Sequence, residues 1–286
     1  MICFCYIYSM ESFETVVKQI REIRSLNDVD EYFSSLYNLN SDLLKEHLSF
    51  CGIIPEYFTH DSSEEKKYSK FSEVIMCRVF DKLGAEVALI EERANRADLI
   101  IDFDDKRYVA DTKCFRMSRS ALNPKDYKIN AMVKWMEKDE AAGGILIGSF
   151  FPQDRSRLWT EAVDNKILIL SYAHIYHILH KGELEDYEEL FEEMIDFSTL
   201  HNPNMTQYWN HIDSIIEDEI PDLKETKQLF RDKLNEIRVL SLNYWNGSLE
   251  AMKQALETTG NTTLKELVSK YKNYISLIES KGYNYY

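Results

Sequence analysis

The sequence predicts an α/β protein with a mixed central sheet of about five strands between helical N- and C-terminal layers. Two observations carry this: five short runs rich in Val, Ile and aromatics lie between residues 86 and 172, and only helical periodicity lies before and after them. A third is that Gly and Pro number only 9 and 5 in 286 residues. That is well below the roughly 12% of average usage, which excludes a loop-rich all-β fold or a long disordered region. The chain divides into an N-terminal helical region, 1–60, a sheet-bearing core, 61–181, and a C-terminal helical region, 182–286.

Residues 11–50 read as two or three amphipathic helices, with Phe13, Val16, Val17, Ile20 and Ile23 recurring at three- and four-residue steps. After Cys51-Gly52 and Pro55, Ser62 or Ser63 caps a long helix. Glu65 stands near the third position as in a capping box, and Gly84 ends the helix. Its apolar side carries Phe71, Val74, Ile75, Val79 and Leu83. EVALIEE, ADLIIDF, RYVADTK, GGILIGSFF and KILILSY then read as strands, with one helix, Pro124 to Asp139, between the third and fourth. From Tyr172 onward only helices are expected.

The opening MICFCYIYSM is short and lacks a basic leading region, so it reads as neither a signal peptide nor a membrane span, with Met10 an alternative start to Met1. Five cysteines without a CxxC pair suit free thiols in a reducing, prokaryotic cytoplasm. The formal charge of −15 argues at first against a nucleic-acid partner. Its distribution reverses that. Residues 106–138 hold nine basic and three acidic side chains, a net of +6, whereas 182–286 hold 10 basic and 20 acidic, a net of −10. A local positive stripe can hold a polyanion on an acidic protein.

The chemistry concentrates in residues 97–113. Asp104 and Asp105 suit the centre of a hairpin turn, which pairs Phe103 with Lys106 and sets Asp98 opposite Asp111. Facing carboxylates on apolar strands repel and need a cation. Alternation puts Lys113 on the face of Asp111, so Asp98, Asp111 and the Thr112 carbonyl form a hard-oxygen set suited to Mg²⁺, with Lys113 beside it to orient water and offset charge on a phosphodiester. The D/E-x-K triplet itself carries little weight, because the chain has nine. Only the one at Asp111 lies in an apolar strand across a hairpin from another strand-borne Asp.

With these residues the chain resembles the PD-(D/E)xK nucleases, and more closely the HindIII-type type II restriction endonucleases. The carrying segments are GIIPEYF (52–58), SSEEKKYSKFSEV (62–74), EERANRADLI (91–100), VADTKCFRMSRSALNPKDYKINA (109–131) and Trp135. The resemblance implies a restriction-endonuclease-like core and a Mg²⁺-dependent homodimer, with Mn²⁺ substituting. It also implies cleavage of both DNA strands at a palindromic hexamer, AAGCTT for the namesake, leaving 5′-phosphates, and a companion DNA methyltransferase that acts with it without binding it. The family's catalytic acids fall on Asp98 and Asp111, its lysine on Lys113, and a supporting acid on Asp126. Ala97 departs from the Pro or Gly usual before the first Asp, at a position that is not a ligand.

Within segment 116–138, Arg116, Ser118, Arg119, Lys125 and Lys128 are the expected phosphate donors, Asn123 the base reader and Ala121 a contact for a thymine methyl. Asn123-Pro124 also suits a helix start. Glu73 and Glu91 are candidate additional acids. His174, His177 and His180 read as ordinary helix-face histidines. Other readings stay open: a superfamily nuclease of DNA repair or junction resolution, a catalytically inactive DNA-binding protein, and a helical scaffold. The intact Asp98, Asp111 and Lys113 oppose inactivity, and the basic stripe opposes a scaffold.

Overall fold

The computed structural model describes residues 13–39, 41–90, 96–119, 124–149, 151–152, 156–259 and 262–280. Three helices open the chain: α1 (Phe13–Glu22), α2 (Asp28–Leu39) and α3 (Ser41–Leu48). Phe13, Val16, Val17, Ile20 and Ile23, the expected apolar stripe, are all buried. The end of α1 is closed by a distant cation, Lys67, whose ammonium donates to the carbonyls of Ile23 at 2.7 Å and Arg21 at 3.3 Å. The four carbonyls at a helix end lack intrahelical partners, so a buried end needs such a donor.

Helix α4 (Ser63–Lys82) begins at Ser62, whose hydroxyl accepts from the Glu65 amide at 3.2 Å. The Glu65 carboxylate bonds the Asp61 amide at 2.7 Å, one residue earlier than in a standard capping box. Past its end Gly84 sits at φ +92°. Phe71, Val74, Ile75, Val79 and Leu83 are buried along it.

The sheet runs in sequence order: β1 (Glu86–Leu89), β2 (Leu99–Asp102), β3 (Arg107–Thr112), β4 (Gly143–Gly148) and β5 (Ile167–Ser171). The first three strands are antiparallel and the last three parallel. Every residue of β4 and β5 is buried, as strands covered on both faces must be.

Two details differ from the sequence expectation. The helix expected from Pro124 is a 3-10 turn, Pro124–Tyr127, followed after left-handed Lys128 (φ +47°) by α5 (Ile129–Asp139). A further helix, α6 (Leu158–Asp164), lies between β4 and β5. Parallel neighbours cannot be joined by a hairpin, and α6 makes the crossover.

The remainder is helical, as expected: α7 (Tyr172–Lys181), α8 (Tyr187–Ile195), α9 (Met205–Glu219), α10 (Leu223–Thr259) and α11 (Thr262–Ser280). His174 and His177 are core tethers rather than surface side chains. His174 Nδ1 accepts from the Ser171 amide at 3.0 Å while its Nε2 meets Asp213 at 2.9 Å, and His177 bridges Thr226 and the Ile220 carbonyl at 2.8 Å each. These bonds fasten α7 to α9 and α10. Trp245 of α10 packs between Tyr271 and Tyr274 of α11, with ring centroids 4.8 and 4.7 Å away. The buried apolar residues form one cluster that runs from Phe13 to Ile278. Among the described residues no helix is long and apolar enough to cross a membrane.

Candidate active site

Strands β2 and β3 pair Leu99 with Ala110 and Asp102 with Arg107, and Phe103 donates to the Lys106 carbonyl at 3.0 Å. Strand pairing ends at Leu99–Ala110, and one step beyond it the Asp98 amide donates to the Ala110 carbonyl at 2.9 Å, offset by one residue from the expected Asp98–Asp111 pair; the two carboxylates still lie close enough to repel. Thr112 turns this proximity into a fixed geometry. Its amide, at 2.7 Å, and its hydroxyl, at 3.1 Å, both donate to Asp98 Oδ2. The Lys113 amide donates to Ile147 on β4 at 2.7 Å. N–H and C=O point oppositely in a trans peptide, so the Thr112 carbonyl faces away from β4, to the Asp98 side.

Asp111 and Lys113 are 5% and 8% exposed, and the Lys113 ammonium forms an ion pair with Asp111 Oδ2. From α4, Glu73 lines a cavity of about 490 Å³ together with Asp98, and is paired with Lys70 at 2.9 Å. Burial pushes the Asp98 carboxyl well above the usual range, and the Asp111 and Glu73 carboxylates push it further. The Thr112 amide and Lys113 act the other way. Oxygen donors crowded in this way fit a hard divalent cation, which would lift the mutual repulsion.

The segment leaving β3 is placed differently from the sequence expectation. Arg116 and Ser118 are turned inward. Arg116 donates to the Pro55 and Glu56 carbonyls, each at 3.2 Å, and pairs with Glu65 at 3.2 Å. Ser118 gives its amide, at 2.8 Å, and its hydroxyl, at 2.6 Å, to the buried Glu56 carboxylate. As placed, both anchor the segment rather than face a phosphate. Arg119, Lys125 and Lys128 are exposed. Asp126 is bonded to Arg119 at 2.6 Å, so its partner is a cation of the segment itself. Glu91, Ala121 and Asn123 lie outside the described residues.

The family model of the HindIII restriction endonuclease matches residues 25–281. The chain belongs to the HindIII restriction endonuclease family. It is therefore a type II restriction enzyme, a site-specific endodeoxyribonuclease. It is similar to the type II restriction enzyme HindIII of Haemophilus influenzae, 24% identical over 259 residues, which cover 86% of each chain.

Membership of the HindIII family gives the GIIPEYF segment a physical meaning. Gly52 adopts φ +83°, and a Cβ there would meet Ser149 Oγ and Tyr172 Cε2 at 2.4 Å. Its carbonyl accepts from the Phe115 amide at 3.0 Å, and Ile54 donates back to the Phe115 carbonyl at 3.0 Å. The segment thus runs beside the chain leaving β3. Glu56 and Trp245 escaped sequence reasoning as site residues. A lone acid within the apolar run of 53–58 was an available signal for Glu56; Trp245, 189 positions away, carried none.

Among the described residues, the three ligand-type side chains whose donor atoms lie within 4.8 Å of one another are His60, Asp61 and Glu65, at the start of α4. Of these, Glu65 is already engaged by Arg116 and the Asp61 amide.

Proposed function

We propose that this enzyme hydrolyses both strands of double-stranded DNA at a short palindrome, AAGCTT or a close variant, as a Mg²⁺-dependent homodimer that leaves 5′-phosphates. The observation that carries the reading is Asp98, held by Thr112, close to Asp111 and its partner Lys113, in a chain that matches the family over almost its whole length. Restriction endonucleases generally work with divalent metal ions. Asp98, Asp111 and the Thr112 carbonyl would hold the cation, which when bound supplies a water of lowered pKa and neutralises charge on the scissile phosphate. Glu73 adds a further carboxylate at the edge of the site.

Thr112 keeps Asp98 Oδ2 occupied, so Oδ1 is the oxygen that would be left for the cation. Lys113, held against Asp111, orients the attacking water and offsets negative charge as the fifth oxygen approaches phosphorus. Arg119, Lys125 and Lys128 hold the DNA backbone, and Asn123 reads an adenine edge. In this division of labour residues 61–181 carry the chemistry, and the acidic C-terminal helices of 182–286 supply dimer contacts and outer scaffold.

Digestion of unmethylated phage DNA with and without EDTA tests the proposal. Discrete fragments ending within AAGCTT, ligatable without prior phosphorylation and absent with EDTA, are expected. A smear, or cutting that survives EDTA, would remove the site-specific or the metal-dependent half respectively.

A further inference from the structure

Glu56 lies between Pro55 and α4 and is 2% exposed. Its carboxylate accepts three hydrogen bonds: from the Ser118 amide at 2.8 Å, the Ser118 hydroxyl at 2.6 Å and Trp245 Nε1 of α10 at 3.0 Å. An ionised carboxylate is an acceptor only, and a buried one persists only where donors surround it. Here the bonded groups come from three parts of the chain far apart in sequence. Arg116 adds a second clamp two residues earlier, bonding the Pro55 and Glu56 carbonyls and pairing with Glu65 in the first turn of α4. On the far side, Arg119 stacks over Phe115 at 4.8 Å and bonds Asp126 at 2.6 Å. One ion pair thus joins residues 119 and 126, while the Arg116 and Ser118 bonds hold the chain just before residue 119.

We propose that Glu56 is a positioning residue for base reading, holding the start of segment 116–128, at Ser118, in a position that α10 shares through Trp245. The inference rests on the proposed DNA-reading role of that segment. Bidentate recognition of a base edge tolerates little displacement, so an anchor at Ser118 acts on discrimination between sequences more than on chemistry at Asp111. Glu56→Gln replaces one acceptor oxygen by an NH₂. Whichever way the new amide turns, it opposes either the Ser118 amide or the Trp245 indole with a second donor. Trp245→Phe removes the indole donor, so in the double variant the NH₂ introduced at position 56 can face the Ser118 hydroxyl, which also accepts.

The test measures kcat/KM on a duplex carrying the cleaved hexamer and on duplexes with single-base changes, for the full chain and for Glu56→Gln, Trp245→Phe and the double variant. Glu56→Gln is expected to lower cognate discrimination at least tenfold, Trp245→Phe by a few-fold, and the double variant to regain part of the Glu56→Gln loss. If Glu56→Gln does not fold, Trp245→Phe alone decides. Folded variants with unchanged discrimination overturn the inference, as does a loss equal on every duplex. Asn123→Ala separates the two levels. Where it destroys discrimination and Glu56→Gln does not, only the positioning role fails; where neither changes it, the reading role of the segment fails.

Discussion

Asp98 and Asp111 lie close together at the open end of the β2–β3 hairpin, where Thr112 fixes Asp98, and neither has an ammonium to itself, since Lys113 acts on both. Removing Asp111 leaves the fold's strand pairing intact, because its backbone makes the ladder bonds, but strips the site of one proposed oxygen ligand and of the partner of Lys113. Asp111→Ala is therefore expected to lower cleavage by about a thousandfold or more while site-specific binding persists, as read by filter binding beside a cleavage assay. His174 makes a different statement, about stability. Burial first, then Lys227, hold its imidazole down at about 4, against 6.5 for a free histidine, although Asp213 pulls the other way. The unfolded chain takes up a proton near pH 6.5 and the folded one only near pH 4, so stability falls as pH drops through this window. The full loss is about 3 kcal/mol, and urea unfolding at a series of pH values is expected to show a slope that a His174→Gln variant lacks.

At the scale of elements, the segment 52–58 couples the sheet to the reading segment. Gly52→Ala forces a Cβ into Ser149 and Tyr172 at a left-handed backbone angle and is expected to cost about 2 kcal/mol or more in urea unfolding, with the Phe115 pairing displaced alongside. Lys67→Met removes the cation that closes α1, and about 1–3 kcal/mol of stability is expected to go with it at unchanged DNA specificity. The same elements show what a sequence can disclose. The β2–β3 register was legible as far as Leu99–Ala110 because a two-residue turn centred on Asp104 and Asp105 fixes the pairs beyond it; the one-residue offset at Asp98 was not, since a turn does not foretell where a ladder ends. The α1 stripe and the long α4 were legible from periodicity. Helix α6 was not, since seven residues hold barely two turns of pattern. Nor was the inward turn of Arg116 and Ser118, because residue type alone does not tell which donors of a loop meet a buried partner, and theirs is set by Glu56 and by a tryptophan on α10.

For the molecule as a whole, the local charge of +6 overstates what DNA meets. Lys106 is paired with Glu192 of α8 at 3.0 Å and Arg107 with Asp102 at 2.6 Å, both at the hairpin tip, while Lys113 and Arg116 are engaged by Asp111 and Glu65. Six basic residues of 106–138 are exposed, the paired Arg107 among them, and three, Lys125, Lys128 and Arg119, which is itself bonded to Asp126, lie in the proposed reading segment. On the proposed reading two copies related by a two-fold axis share one palindrome, so three phosphate contacts per copy would become six. Each contact releases counterions worth about −0.9 in the slope of log K against log salt, giving about −5 for the dimer. Lys125→Ala is expected to shallow the slope by about 2, once for each copy, and to weaken binding to all sequences alike. Anisotropy titrations without metal between about 50 and 200 mM salt measure this, and sedimentation of the complex is expected to give a protein mass twice the chain's 33.7 kDa. A slope change near 1 for Lys125→Ala, with a single chain on the duplex, would instead mean that one copy reads the site alone.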